Sequence, residues 1–392
     1  DGIRDQPRSR GLGDVYKRQV LEEIYDSIVE YGSVFAQILL ALVFDLGGVF
    51  AGFLLAYSLS RILNIPWALA LYPIVLSTRG ALTGIYCGRL STSLHIGIIL
   101  PRFLKNTEEF WLLRGAMLFL TLLSSLIMGF SIAVIGFLFW GFNSSIFLES
   151  PLLAVSIAGS STLLTLVLSE AAAFTSYRLG LDPDIILYPV MSTVADILVT
   201  LVYVYITSLY ITWGYLIPLT LDIIVFLLAF LSLYKGYEED FFTRTVKESI
   251  ASLLIVTLIS NLTGVALKKI GEKVREGGLY SVYPATIDTI GDAASIVGSV
   301  ATTKLNLGEV ESLGEYLKTL FLERGIASWT ASLLMLLLYS IIAGSLHLIP
   351  VLLKLGLVAI PLMIMVSLFI AFGSERKGLD PDHFVNPLIS TL

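Results

Sequence analysis

A chain of 392 residues, 56% hydrophobic and only 14% charged, with a mean hydropathy of +0.85, is not an ordinary soluble globule, in which about a quarter of residues carry charge. Its formal net charge of −6, without a basic block or basic–aromatic interleaving, argues against a nucleic-acid partner. The single cysteine, Cys87, excludes an internal disulfide and argues against a thiolate metal cluster. Apolar windows long enough to cross a ~30 Å bilayer core recur along the length. The expected class is therefore an all-α polytopic membrane protein in contact with lipid; a β-barrel would show short alternating segments instead.

Residues 1–19 are polar and arginine-rich, with no apolar core to make them a secretory signal. They resemble a translated sequencing adapter and are set aside from the fold. Residues 20–33 predict a short acidic amphipathic helix on the cytoplasmic side, with Leu21, Ile24 and Ile28 on one face. A first span follows over about 34–59 and contains Asp45 in the run Asp-Leu-Gly-Gly-Val. The second, between Pro66 and Pro101, is longer than the ~20 residues one crossing needs. Pro73 and Gly80 predict a kink or partial break in it, which is tolerated at membrane depth only beside protein or water. A third span is expected at about 112–140 and a fourth at 152–174. The fifth opens at Gly180-Leu-Asp-Pro-Asp184, with Asp182 as cap and Pro183 in the first turn, and runs past Asp196 to about 211. Residues 34–211 form one membrane unit. Residues 212–245 hold a sixth, linking span at 216–234 and a cytoplasmic connector.

The pattern then restarts, so that 246–392 form a second unit. Without gaps, Tyr72, Pro73, Gly80, Thr92, Leu94 and Gly97 fall on Tyr283, Pro284, Gly291, Thr303, Leu305 and Gly308. Asn261-Leu-Thr-Gly-Val265 answers Asp45-Leu-Gly-Gly-Val49, and Gly378-Leu-Asp-Pro-Asp382 answers Gly180 to Asp184. Leu392 falls two positions before the counterpart of Asp196, and a continuation into the rest of an eleventh span is expected. The expected architecture is two parallel five-helix repeats joined by the linking span, about ten spans plus a truncated eleventh, acting as a monomer with internal pseudo-twofold symmetry. Basic residues place the amino end in the cytoplasm; Lys268 to Arg275 run against that rule.

Asp45, Asp196, Asp288 and Asp292 all fall inside expected spans. At about 2.5–3.5 kcal/mol each near the centre of a bilayer, four unpaired aspartates would cost roughly 10–14 kcal/mol, as much as the whole net stability of a domain. They must be paired, hydrated or holding a cation. Internal pairing with Arg79 or Arg89 is the plainer alternative, and for Asp45 a close helix contact at Gly47 and Gly48. Glu170 reads as a solvated span end, Asp222 as a structural or lipid-interface residue, and His95 as a packing residue. Asp182, Asp184, Asp380 and Asp382 read as helix caps. Carboxylates, hydroxyls and carbonyls without clustered His or Cys suit a hard cation. The candidate metal ligands are Asp196, Asp288, Asp292, Asp45 and Asn261. The candidate pore lining is Thr78, Arg79, Gly80, Arg89, Ser91, Thr92, Ser192, Thr193, Thr289, Gly291, Ser390 and Thr391. No nucleotide-binding motif supports an ATP-driven pump, and no nucleophile–base arrangement supports an enzyme. A proton- or sodium-coupled carrier of an organic solute is the alternative, with the aspartates carrying the coupling ion.

Arg79-Gly80 followed by Arg89-Leu-Ser-Thr92 and Gly97 resembles the signature of solute carrier family forty-one, whose members carry two copies of the membrane domain of MgtE magnesium transporters. The Asp-Pro-Asp…Pro…Ser/Thr…Asp pattern ending at Asp196 is similar to the fifth span of that domain. The resemblance implies a multi-pass protein of the cell membrane that transports Mg2+ or another divalent cation, with Asp196 at the central ion site. The family's asparagine after Gly80 is Ala81 here; in the second copy it is Asp292, Arg89 is answered by Val300, and Asp288 is added. Acidity is thus shifted into the second half. The cytoplasmic magnesium-sensing regions of MgtE have no counterpart in the chain.

Overall fold

The computed structural model describes Val29 and residues 31–65, 67–179, 183–273, 277–306, 313–377 and 389; at 183–190, 271–273 and a few single positions the description covers the backbone alone. The expected amphipathic helix at 20–33, the Asp182, Asp184, Asp380 and Asp382 caps, and Ser390 and Thr391 therefore fall largely or wholly outside it. Long helices account for nearly all the described residues: α1 (Tyr31–Ile62), α2 (Ala68–His95), α3 (Glu108–Phe139), α4 (Ile146–Arg178), α5 (Pro183–Trp213), α6 (Leu216–Gly236), α7 (Asp240–Lys273), α8 (Gly277–Asn306) and α10 (Ile349–Arg376). Between the last two, α9 consists of Leu313–Leu320 and Ile326–Ile342, joined by a π-helical turn at Phe321–Gly325. The molecule is an all-α polytopic membrane protein. Among the described residues, eight helical stretches are long and apolar enough to cross a membrane: α1 to α4, the Met191–Trp213 part of α5, α6, α7 over Asp240–Ile270, and Leu346–Arg376. The Ile326–Ile342 part of α9 is apolar but shorter, and α8, which carries Asp288 and Asp292, is not among them.

Helix ends follow ordinary chemistry. Thr107 is extended just before Glu108 and Glu109, which complement the positive end of α3. Gly97 and Gly214 stop α2 and α5 at φ of 74° and 70°, a backbone that side-chain-bearing residues adopt at a cost. The break expected in the second span does not occur: α2 is continuous from Ala68 to His95 with Pro73 inside it. Pro73 lies in the second turn, where its missing N–H forfeits one backbone bond. That bond would have gone to the Leu69 carbonyl; the carbonyl one residue earlier, Ala68, accepts the Tyr203 hydroxyl of α5 at 2.6 Å. In α1 the regular helix yields instead to a 3-10 turn at Val43–Asp45, which positions Asp45.

α1 makes its main contacts with α8, and α7 with α2. Glycines permit both approaches: a Cβ at Gly48 would stand 2.7 Å from the Ala285 nitrogen, one at Gly52 would collide with the Ser281 carbonyl, and one at Gly264 with the Ala70 carbonyl. α6 is fixed to α4 by the Ser156 hydroxyl, which donates to Asp222 Oδ1 at 2.7 Å, and by Val225 closing on Gly159. Asp222 is buried, so it faces protein.

Contacts between helix ends define two faces. On one, Arg89 of α2 bonds Glu248 of α7, and Arg178 donates to the Pro101 carbonyl. On the other, the Lys268 ammonium lies 4.4 Å from the Trp140 ring centre and 5.8 Å from that of Phe142. This cation–π seat accounts for one basic residue of the segment that opposed the charge rule.

Candidate functional site

A cavity of about 50 Å³ opens between α2, α5 and α8. On a measure where one water needs ~10–15 Å³, it has room for a few waters. Its walls are one face of each helix. Pro73, Leu76, Ser77, Gly80, Thr83 and Gly84 recur at three- and four-residue steps along α2; Ser192, Ala195 and Asp196 do so on α5, and Ile287, Asp288, Gly291 and Asp292 on α8. Leu76, Ser77 and Gly80 are the register partners of Ile287, Asp288 and Gly291. Corresponding faces of α2 and α8 thus meet across the cavity. Beyond Pro73, the rings of the partner tyrosines Tyr72 and Tyr283 stand 6.4 Å apart, and Tyr203 packs edge-on to Tyr72 at 5.0 Å. Tyr72 bonds Thr200 at 2.9 Å, whose hydroxyl in turn donates to the Asp196 carbonyl at 2.7 Å.

Asp45, Asp196, Asp288 and Asp292 are gathered as two pairs. Asp196 of α5 and Asp288 of α8 have their carboxyl groups within hydrogen-bonding reach of each other; so do Asp45 of α1 and Asp292 of α8. Asp288 and Asp292 lie one turn apart on α8 and line the cavity together with Asp196. Asp45 stands behind Asp292 and is anchored: Thr289 donates to its Oδ2 at 2.8 Å, and Tyr339 of α9 bonds Thr289 at 2.6 Å. Since the Thr289 proton goes to Asp45, Tyr339 is the donor in that second bond. Asp196 Oδ2 is buried without a hydrogen-bond partner. Two carboxylates side by side repel unless a proton or a cation lies between them. Among the described residues no group of three or more His, Cys, Asp or Glu forms a cage for a metal ion. The arrangement is therefore open and paired.

The other candidate residues divide. Gly80, Ser192 and Gly291 line the cavity. Thr193 is turned toward α1, where it donates to the Phe44 carbonyl at 3.0 Å. Thr78 is buried with an unpartnered hydroxyl and does not line the cavity. Asn261 of α7 donates to the Thr257 carbonyl at 2.7 Å, its Oδ1 has no partner, and it too lies off the cavity. Arg89, Ser91 and Thr92 lie more than two turns past Gly80, with Arg89 engaged by Glu248. Arg79 lines a smaller neighbouring cavity instead. Glu170 departs from its expected place at a solvated helix end. It is fully buried, accepts the Tyr86 hydroxyl at 2.7 Å and faces Arg114 Nε at 3.2 Å, because α2 and α3 close over it. Ser77, Thr83 and Gly84 are not among the site residues expected from the sequence, although the helical period through Pro73 and Gly80 passes through all three.

A cavity walled by three helices, with carboxylates from α5 and α8, in a polytopic membrane protein suits a hard cation. A family model described as MgtE, divalent cation transporter, matches residues 72–206 and 283–392. No curated protein and no solved structure matches the chain. The matched segments make up more than half of the sequence and contain α2, α8 and Asp196, so the chain belongs to the MgtE family of divalent cation transporters.

Proposed function

We propose that the chain carries Mg2+ across the cell membrane through the cavity between α2, α5 and α8, acting as a monomer. In this reading 34–211 and 246–392 are two parallel five-helix repeats, with 212–245 as linking span and connector. The exchange of first helices, the facing tyrosines Tyr72 and Tyr283, and a family match whose two segments begin at those tyrosines support it. Asp196 and Asp288 are the primary ligands, Asp292 a second contact on the same face, and Asp45 the residue that holds Asp292. Asn261 and Arg89, lying off the cavity, are not needed as ligands.

The observation that carries the reading is the pairing of Asp196 and Asp288 beside a space large enough for water. Magnesium sheds its waters reluctantly and is usually held by one or two carboxylates with several waters retained. A pair of carboxylates beside a few waters fits that habit better than a closed cage would. Ser77 and Ser192 supply hydroxyls to that water. Replacing Asp196 by Ala should cut Mg2+ flux into liposomes by on the order of tenfold or more, the change expected when ~1.4 kcal/mol of ion binding is lost, while the protein still inserts and folds. Flux equal to wild type in a correctly inserted Asp196→Ala protein sinks the assignment.

A further inference from the structure

A second, smaller cavity lies between α2, α3 and α4 and shares Thr83 with the first. It is lined by Arg79, Thr83, Thr162, Thr165 and Ser169, with Met117 among its apolar walls, and has room of about 10 Å³. No carboxylate lines it. Arg79 is 3% exposed, and its Nε and Nη2 have no hydrogen-bond partner; neither has the Thr83 hydroxyl one turn further along. A guanidinium is always charged and carries five donors. Burying such a charge unpaired is costly. Asp196 is the carboxylate whose charge reaches Arg79, but it lines the other cavity and already stands beside Asp288. Glu170, next to Ser169, is turned to Tyr86 and Arg114.

We infer that this second cavity is a binding site for one small monovalent anion of the halide class, held by Arg79 and Thr83. Two residues of its lining carry three buried donor atoms without acceptors, two of them on one charged guanidinium. Its room matches a single sphere of about water size, ~10–15 Å³ on this measure, which excludes sulfate, phosphate and other oxyanions. The site does not depend on what crosses the membrane in the larger cavity.

The test uses the full chain in detergent, melted while its tryptophan fluorescence is followed, at equal ionic strength in sodium chloride, bromide, gluconate or sulfate. Chloride and bromide should raise the melting temperature in a saturable way, as a ligand of the folded state does, whereas gluconate and sulfate should not. Arg79→Met should abolish that shift, and Thr83→Val should weaken the apparent halide affinity on the order of tenfold, one buried hydrogen bond to a charged partner. Anomalous scattering from bromide-soaked wild-type crystals should show one peak within hydrogen-bonding distance of the Arg79 guanidinium. Equal melting in chloride and gluconate, a shift that survives in Arg79→Met, or a bromide map with no peak at Arg79 would each overturn the proposal.

Discussion

The Glu170 carboxylate is enclosed by α2 and α3, with Tyr86 at 2.7 Å and Arg114 at 3.2 Å. Removing one member of a buried ion pair costs about 3–5 kcal/mol. Arg114 is a quarter exposed and can recover some hydration, so Glu170→Ala should destabilise by about 3 kcal/mol, the lower end of that range. Tyr86→Phe should cost ~1 kcal/mol, one neutral hydrogen bond. Thermal melts in detergent would rank the two; a Glu170→Ala protein as stable as wild type would show that Arg114 needs no counter-charge there. Asp222 predicts the opposite outcome. Its visible contact is the Ser156 hydroxyl, and interhelical hydrogen bonds inside membranes average ~0.6 kcal/mol. Against that stands the ~2.5–3.5 kcal/mol cost of placing an aspartate at mid-bilayer. Asp222→Leu should therefore melt no lower than wild type and keep its ion flux. A large loss of either would mean that Asp222 serves the cavity from a distance.

At the scale of helices, glycines separate packing from function. Gly52 and Gly264 sit where α1 meets α8 and α7 meets α2, each against a backbone carbonyl, whereas a Cβ at Gly80 would have no atom within 4 Å and would project into the cavity. Overpacked contacts typically cost ~1–3 kcal/mol, so Gly52→Val and Gly264→Val should both lower the melting temperature. Gly80→Val should leave the melt almost unchanged and reduce flux by narrowing the ion's space. Equal damage to stability at all three positions would contradict the distinction. The same helices show what was legible in the sequence. Boundaries near 112–140, 152–174, 183–211 and 216–234 were readable because apolar length and turn residues punctuate them, and each helix extends only a few residues beyond. The pairing of α1 with α8 was not readable, since nothing local to Gly48 or Gly52 specifies which helix approaches. Within α2, Arg79, Arg89, Ser91 and Thr92 stood out for their polarity, yet the cavity is set by rotation about the helix axis. Ser77, Thr83 and Gly84 share the face of Pro73 and Gly80, whereas Arg79 is turned to the second cavity. Asp288 and Asp292, four residues apart, were on one face by period alone. Their partners Asp196 and Asp45 come from distant sequence, and the pairing needed the fold.

For the molecule as a whole, the question is what drives the ion. Four aspartates gather in two pairs, and Arg79 of α2, whose charge Asp196 reaches, faces a separate cavity. On the proposed path this acidic excess favours cations over anions, and its attraction grows with the charge on the cation. The membrane potential acts in the same sense: at ~2.3 kcal/mol per elementary charge per 100 mV, a divalent ion moving inward gains ~4.6 kcal/mol where sodium gains half that. That is enough, at ~1.4 kcal/mol per tenfold, to sustain roughly a thousandfold accumulation without any second gradient. Liposomes holding the protein, an internal Mg2+ indicator and a potassium diffusion potential, with proton and sodium gradients absent, should therefore load Mg2+ at a rate that rises with the imposed voltage. Dissipating the potential should reduce loading to what the Mg2+ gradient alone sustains, and Asp288→Ala should abolish the voltage-dependent part, since its pair with Asp196 is broken. If loading instead requires a sodium or proton gradient at every voltage, the cavity works as a coupled carrier, and the aspartate pairs bind a second ion in the same cycle.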